Sequence, residues 1–294
     1  MNILITGGSG LIGTSLTNLL LDNGHKVRIL TRDKDVKPPF YEWSSDKVDE
    51  KAFKDLDGII HLAGSPINNR WTAKEKKIIL SSRIDTANLL YEYINKLNIQ
   101  LKFFISASGA SYYGQVTKEN IFVEEDEPGN DFLAQVCVKW ENSADQFKSH
   151  ADRVIKIRTP IVLSKDAKSY QLMKLPTQFG LGASLGSGKQ WMPWVHLEDL
   201  CRIYLSASEN IQFNGPINAV VENQVQHDQF MELLAKSFNK SIWLPNIPAP
   251  LVKLTMGENA CIILEGSRLS NQKINDLDFK FKYDDLKEAL NSMS

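Results

Sequence analysis

The sequence predicts an α/β protein in which a doubly wound, mostly parallel sheet is joined to a smaller C-terminal α/β lobe. In the first half of the 294 residues, short apolar runs alternate with amphipathic stretches, the pattern of parallel strands joined by crossover helices. The runs recur roughly every 25–45 residues, which is the spacing of βαβ units. After about Leu163 the alternation fades and glycines and prolines crowd together, which indicates longer loops.

The individual elements follow from these runs in chain order. Strands are predicted at residues 2–6, 26–32, 58–64, 102–108 and 153–163. A leucine-rich helix follows the first strand and ends at Gly24, a common residue at helix C-termini. A long amphipathic stretch at 72–97 predicts one helix or a kinked pair, and "FLAQVCVKWENSADQFKSH" predicts another helix. In the second half, helices are predicted near 197–208, 228–238 and 284–290.

Composition narrows the class of protein. Hydrophobic residues make up 43% and charged residues 23%, as in ordinary globular proteins. The formal net charge of −1 provides no overall field that would attract nucleic acid or an anionic membrane. The three cysteines form no C-x-x-C pair, which argues against a disulfide framework and a metal site. No secretory signal or long apolar span is visible. We therefore expect a cytoplasmic protein with no metal, nucleic-acid or membrane partner.

The turn after the first strand reads "TGGSGLIG". Gly7, Gly10 and Gly13 satisfy G-x-x-G-x-x-G between a strand and a leucine-rich helix, the context in which this pattern is informative. Glycines let the backbone approach a diphosphate, whose charge then lies on free N–H groups at the helix start, near Leu11 and Ile12. The turn predicts a Rossmann-type dinucleotide site, and the alternative is a tight turn that binds nothing.

The end of the second strand bears on which dinucleotide binds. A carboxylate there would accept a hydrogen bond from the ribose 2′-hydroxyl and repel a 2′-phosphate. Thr31 occupies the expected position and Arg32 follows it, while Asp33 and Asp35 come slightly late. A guanidinium and a hydroxyl can both bind a phosphate. We therefore expect NADP(H), with a solvated surface arginine as the alternative interpretation of Arg32.

This cofactor assignment suggests a division of the chain. Residues 1–163 are expected to form an NADP-binding Rossmann domain, to which strands from about 190–222 also contribute. Residues 164–294 are expected to form a smaller substrate lobe interleaved with it. In that lobe, Trp191 and Trp194 could wall an apolar cleft and Lys189 could meet an anionic ligand. An aromatic hinge that packs the lobe onto the sheet explains these residues equally well.

Several segments resemble a known family. "TGGSGLIG", "HLAG" and "ISASGASYYG" are similar to the extended short-chain dehydrogenase/reductases, in the NAD(P)-dependent epimerase/dehydratase superfamily. "RWTAKEKKIILSSRIDT", "DFLAQVCVKWE" and "FGLGASLGSGKQWMPWVHLEDL" resemble an atypical subfamily described as epimerase family proteins, and the resemblance covers nearly the whole chain. It implies that Leu62, Ala63 and Gly64 pass the cofactor's adenosine half. It also implies that Arg83 lies near the cofactor phosphates and that Ile161 flanks the nicotinamide.

The same resemblance raises a difficulty about catalysis. Such enzymes use a tyrosine whose proton is made available by a lysine four residues later. With Glu141 as the reference point, those positions fall on Leu133 and Cys137, which offer neither a proton donor nor a cation. Ser108 and Tyr113 at the end of the strand 102–108 are the remaining candidates, with Ser106 and Tyr112 as alternatives. The competing interpretation is a turn with packed aromatics.

Two functional hypotheses are compatible with the sequence. One is an NADP(H)-dependent oxidoreductase or epimerase-like enzyme acting on an unknown small molecule. The other is a catalytically weak or inactive NADP(H)-binding regulatory protein that acts through a protein partner. Because relatives often pair through the helices that flank the tyrosine position, a homodimer is compatible with either hypothesis.

Overall fold

A computed structural model describes residues 1–44 and 46–293, and it confirms the predicted fold class. The strands are β1 (Asn2–Thr6), β2 (Lys26–Thr31), β3 (Phe40–Glu42), β4 (Gly58–His61), β5 (Phe103–Gly109), β6 (Ile121–Phe122), β7 (Val154–Thr159), β8 (Ile161–Leu163), β9 (Trp191–Met192), β10 (Trp194–His196), β11 (Gly215–Asn218), β12 (Val225–Gln226) and β13 (Arg268–Leu269). Seven of them form one parallel sheet in the order β11-β7-β5-β4-β1-β2-β3.

Helices cover the sheet and build the lobe. They are α1 (Leu11–Asp22), α2 (Ala73–Lys96), α3 (Phe132–Asp145), α4 (Lys168–Gln178), α5 (Leu197–Glu209), α6 (His227–Ser237), α7 (Ala249–Met256), α8 (Cys261–Leu264), α9 (Gln272–Asp276) and α10 (Leu286–Asn291). The long stretch at 72–97 forms a single helix, α2. Within the described residues, no helix combines the length and apolarity that a bilayer crossing requires.

The sheet is buried on both faces. In β1, Ile3 and Ile5 pack on the side that carries α1 and α5, whereas Leu4 packs on the side that carries α2 and α3. All three side chains have an exposed fraction of 0%. A strand covered by helices on both sides needs apolar residues at successive positions, which explains the unbroken run "ILI" at residues 3–5.

The predicted strand 153–163 divides into β7 and β8. Pro160 separates them, and proline has no N–H to continue the ladder. Only β7 joins the large sheet, while β8 pairs with β10 at the base of the lobe. The late strand β11 joins the large sheet beside β7, so chain from both halves builds that sheet.

The lobe has a hydrophobic core of its own. Tyr170 of α4, Trp194 of β10 and Phe230 of α6 are fully buried in it. The sequence did not predict helix α4, because its interior carries Pro176 and two of its exposed positions, Leu172 and Leu175, are apolar. Both features hide the usual amphipathic pattern.

Candidate functional site

A cleft of about 810 Å³ opens at the carboxyl edge of the large sheet. From the central strand β1 the chain proceeds to β2 and β3 on one side and to β4, β5 and β7 on the other. Ligands of open α/β sheets bind where the strand order reverses in this way. Nine predicted site residues line the cleft: Gly7, Gly10, Leu11, Ile12, Gly13, Leu62, Arg83, Ser108 and Ile161.

The glycine turn owes its shape to the absence of side chains. Gly7 has φ +71°, a left-handed conformation that glycine adopts at little cost. A Cβ on Gly13 would lie 2.3 Å from the Gly7 carbonyl oxygen, so only glycine lets α1 approach β1 this closely. At Gly10, by contrast, a Cβ would meet only that oxygen, at 3.3 Å, among the described residues. Gly10 therefore leaves open space for a ligand.

The start of α1 is suited to an anion. Its N-cap residue, Gly10, has no side chain to accept from the first N–H groups, and the first turn has no acidic residue. These N–H groups carry the positive end of the helix dipole. Free N–H groups at a helix start of this kind favour a negatively charged group such as a diphosphate.

The end of β2 places Thr31, Arg32 and Asp33 next to the glycine turn, because β2 is the parallel neighbour of β1. Arg32 is exposed and forms no ion pair among the described residues. Thr31 donates its hydroxyl proton to the Asp33 carboxylate at 3.0 Å. The structure thus brings the predicted phosphate-binding cation and a nearby carboxylate to the same edge.

A buried histidine fixes the loop after β4. The Arg83 carbonyl can only accept, so His61 Nε2–H donates to it at 3.0 Å. Burial lowers the pKa of His61 from 6.5 to about 4, so the ring is neutral at neutral pH and Nδ1 is an acceptor. The Thr6 hydroxyl donates to Nδ1 at 2.8 Å and accepts from the Ala63 N–H at 3.2 Å. Leu62 and Ala63 are thereby held across from the glycine turn.

This histidine makes stability depend on pH. Because its pKa is lower in the folded state, the unfolded chain binds the extra proton between about pH 6.5 and pH 4. The stabilisation is complete above pH 6.5 and is lost as the pH falls to 4, by about 3 kcal/mol. We predict that wild type loses more free energy of unfolding than His61→Gln between pH 7 and pH 4.5 in urea titrations. Equal losses in the two proteins would contradict this assignment.

Arg83 is a buried cation on the cleft wall, with 9% of its surface exposed. Its guanidinium donates to the carbonyls of Ile79 at 2.7 Å and Ser65 at 3.1 Å and lies 4.9 Å from the Trp140 ring centroid. No carboxylate pairs with it in the described part of the chain. Burial lowers its pKa, yet a guanidinium stays charged at neutral pH. Gly64 packs directly against Arg83, so Ala63 and Gly64 support the cleft wall without lining it.

Helix α3 presents Leu133, Cys137 and Trp140 to the cleft. Burial raises the pKa of the Cys137 thiol to about 12, so this side chain is neutral and is neither a cation nor an activated nucleophile. The Trp140 Nε1–H finds no acceptor among the residues described. The two positions that the family resemblance assigns to tyrosine and lysine thus contribute an apolar surface.

Ser108 at the end of β5 lines the cleft, and a hydrogen bond holds its hydroxyl in place. Its hydroxyl donates to Glu141 Oε1 at 2.8 Å. Arg158 of β7 donates to both oxygens of the same carboxylate, at 2.9 and 3.0 Å. Glu141 and Arg158 are 5% and 2% exposed. Because its own proton is committed to Glu141, the Ser108 oxygen can accept a hydrogen bond from a ligand in the cleft.

Tyr113 lies away from the cleft lining and is 2% exposed. Its hydroxyl accepts from Arg158 and donates to Asn218 Oδ1, each at 2.8 Å. Burial raises its pKa above the usual value, so its proton is held more tightly. Tyr112 is also occupied, because the Arg158 guanidinium stacks 3.4 Å from its ring centroid. Both phenols belong to the packing around Arg158, in agreement with the alternative interpretation of a turn with packed aromatics.

The buried network centred on Arg158 was missed from the sequence. Its other members are Glu124, which accepts from the Asn218 N–H at 2.8 Å, and Ser270, whose carbonyl accepts from the Asn218 amide. One available signal was Arg158 in the predicted strand "VIKIRT", where two basic residues alternate with apolar ones. A charge in a buried strand needs a partner, but the sequence does not reveal which partner.

On the lobe side, Trp191 lines the cleft. Trp194 is instead fully buried and donates its Nε1–H to the Asn223 carbonyl at 3.2 Å. Lys189 is exposed outside the cleft lining. Trp191 therefore forms part of the cleft wall, as suggested, whereas Trp194 packs in the core of the lobe. The described residues contain no cluster of metal-ligating side chains.

The parallel sheet, the glycine turn at its reversal point and the adjoining cleft define a Rossmann-like α/β protein of the short-chain dehydrogenase/reductase type. The chain belongs to the NAD dependent epimerase/dehydratase family, whose model matches residues 3–220. A second model, a domain of unknown function (DUF1731), matches residues 247–293. An epimerase family protein of Staphylococcus aureus is 32% identical over 300 residues, covering 99% of this chain and 98% of that protein.

Solved structures agree with this assignment. The human epimerase family protein SDR39U1 (isoform 2), crystallised with NADPH, superposes with a TM-score of 0.89 at 27% identity, covering 100% of this chain and 99% of that one. The UDP-glucuronic acid 4-epimerase of Bacillus cereus, in complex with UDP-glucuronic acid and NAD, gives a TM-score of 0.79 at 20% identity, covering 100% and 98%. The second likeness supports the fold alone.

Proposed function

We propose that this protein is a cytoplasmic NADP(H)-binding enzyme, an oxidoreductase or epimerase-like protein that acts on a small molecule. The observation that carries the proposal is the single cleft wall running from the open glycine turn, past Arg83, to Ser108 and Ile161. A dinucleotide laid along it would meet free helix N–H groups at its diphosphate. Its nicotinamide would then lie near Ser108 and Ile161.

Arg32 favours NADP(H) over NAD(H) in this proposal. An exposed guanidinium without a protein carboxylate partner can bind a 2′-phosphate through two parallel hydrogen bonds. The human relative crystallised with NADPH supports the same choice. The negative charge of Asp33 disfavours binding of a 2′-phosphate. Its carboxylate, however, accepts a hydrogen bond from the Thr31 hydroxyl, which holds it beside Thr31.

A charge reversal tests the cofactor assignment. Arg32→Glu is expected to weaken NADPH binding about 100-fold and NADH binding less than about threefold, because NADH has no 2′-phosphate. Isothermal titration of each variant with each cofactor measures this difference. The matched control is Arg28→Glu, on the same strand but with its guanidinium bonded to the carbonyls of Ala52 and Lys54. Equal losses for both cofactors in Arg32→Glu would remove the NADP(H) assignment.

Ser108 is the residue that we propose handles the substrate oxygen. The nicotinamide would supply or accept hydride, which is the cofactor's own chemistry. When a substrate alcohol is oxidised, its hydroxyl donates to Ser108 Oγ, and the Ser108 proton moves along its 2.8 Å hydrogen bond to Glu141. The two hydrogen bonds from Arg158 hold the Glu141 carboxylate in the position that accepts from Ser108. This relay takes the place of the Tyr-x-x-x-Lys pair, which the proposed site lacks.

One observation favours a second candidate function. Leu133 and Cys137 fill the wall where a proton donor and a cation would be expected, which suits a regulatory NADP(H)-binding protein that acts through a protein partner. Oxidation of NADPH in the presence of a broad panel of aldehydes and ketones separates the two candidates. Turnover that Ser108→Ala reduces supports the enzyme, and the lack of turnover with every carbonyl favours the regulatory protein.

A further inference from the structure

The lobe exposes an apolar stripe on α4. Leu172, Leu175 and Phe179 are 65%, 59% and 69% exposed. Their spacing of three and four residues places them on one side of the helix and its C-terminal end. Leu181 and Trp243 add exposures of 57% and 68%. Contiguous exposure of large apolar side chains usually indicates an interaction surface.

Trp243 belongs to the same surface, although it lies far along the chain. Its Nε1–H donates to the Gly180 carbonyl at 2.7 Å, next to Phe179 and Leu181. One residue before it, Ile242 packs so close to Gly182 that a Cβ there would lie 3.0 Å from its Cδ1. We call these five side chains, Leu172, Leu175, Phe179, Leu181 and Trp243, the apolar face.

The two segments that carry the apolar face have lysine as their only charged residue, and acidic residues lie just outside them at Asp166, Glu198, Glu232 and Glu258. Residues 167–197 and 233–257 contain no aspartate, glutamate or arginine. Their lysines are Lys168, Lys174, Lys189, Lys236, Lys240 and Lys253. Lys174 lies 5.5 Å from the Phe238 ring centroid, so the two segments are in contact beside the face. The net charge of the whole chain, −1, does not reveal this local excess of lysine.

We propose that the apolar face docks on an anionic lipid bilayer. Leucine, phenylalanine and tryptophan flanked by lysine are the composition of surfaces that lie in the membrane interface. A protein partner is less suited, because protein interfaces are enriched in arginine and depleted in lysine. A second copy of this chain would bring two lysine-rich faces together. Ala167, Lys168 and Ser169 line the cleft, so docking would place the cleft mouth near the lipid headgroups.

Vesicle co-sedimentation tests this proposal independently of catalysis. Wild type is expected to sediment with vesicles of phosphatidylglycerol and phosphatidylcholine, and to be released by about 0.5 M NaCl, because salt screens the lysines. The double variant Leu175→Glu/Phe179→Glu is expected to lower the bound fraction about tenfold. Ile211→Glu is the matched control, since Ile211 is 82% exposed and lies outside both segments. NADPH titration of the double variant should match that of wild type and shows that it is folded.

Three outcomes would overturn the proposal. One is the absence of sedimentation with anionic vesicles at low salt. Another is equal binding to vesicles of phosphatidylcholine alone, which would remove the role of charge. The third is a wild-type dimer in sedimentation velocity that the double variant converts to a monomer, which would make the face an interface between copies of this chain.

Discussion

Gly10→Ala is expected to weaken NADPH binding about 100-fold and to lower the melting temperature by no more than a few degrees. Gly10 has φ −78° and ψ 174°, which alanine adopts without strain. Within 4 Å, among the described residues, the added methyl would meet only the Gly7 carbonyl oxygen, at 3.3 Å. The fold therefore tolerates it. The same methyl occupies the space through which a diphosphate reaches the helix N–H groups.

Two further glycines provide the controls for this prediction. Gly24→Ala introduces a methyl with no heavy atom within 4 Å among the described residues, but at φ +78°. It should cost about 1 kcal/mol of stability and leave NADPH binding unchanged. Gly13→Ala should disrupt the turn itself, because its Cβ would lie 2.6 Å from the Gly8 Cα. If Gly10→Ala bound NADPH as wild type does, a diphosphate at this turn would be excluded.

Glu141→Leu and Arg158→Met are each expected to lower the free energy of unfolding by about 3–5 kcal/mol. Each substitution leaves a buried charge without its partner, since the two groups are joined by two hydrogen bonds of 2.9 and 3.0 Å. Burial alone acts to lower the pKa of Arg158, but the bonds to Glu141 and Tyr113 raise it above its usual value. Without Glu141 that support is lost, but a guanidinium still stays charged at neutral pH, so a buried, unpaired cation remains.

The double variant Glu141→Leu/Arg158→Met distinguishes this pairing from general packing. It is expected to recover at least half of the summed loss, because no isolated charge remains. Urea denaturation of the four proteins measures the coupling. Lys96→Met, which breaks the exposed pair with Glu50, should leave stability nearly unchanged. Strict additivity of the two single variants would show that the buried pair is not coupled.

The sheet and the glycine turn could be predicted because their causes are local. A strand covered on both faces must be apolar at successive positions, and Asn2–Thr6 has the bounds that its sequence predicts. A glycine with φ +71° at position 7 likewise follows from the turn chemistry of the motif. Within that sheet, most of the proposed cofactor positions come together in one cleft.

The part of the site around Ser108 and Tyr113 was harder to predict because it depends on distant contacts. Tyr113 offers a phenol in the sequence, but its hydroxyl donates a hydrogen bond to Asn218, which lies 105 residues later. The sequence indicated Ser108 as a candidate but not its hydrogen-bond partner, because Glu141 lies 33 residues later in the chain. The relation of Trp243 to α4 depends similarly on a contact with Gly180 across 63 residues. Local patterns do not specify such pairings.

Titration of the purified protein with NADPH, followed by tryptophan fluorescence, tests whether the glycine turn and the adjoining cleft bind a dinucleotide. Trp140 and Trp191 line the cleft, so a bound dihydronicotinamide should quench them and emit by energy transfer. Saturable quenching at one NADPH per chain, weakened in Gly10→Ala and retained in Gly24→Ala, is the predicted result. Fluorescence that changes only in proportion to added NADPH, with no saturation and no shift in melting temperature, would contradict dinucleotide binding in this cleft.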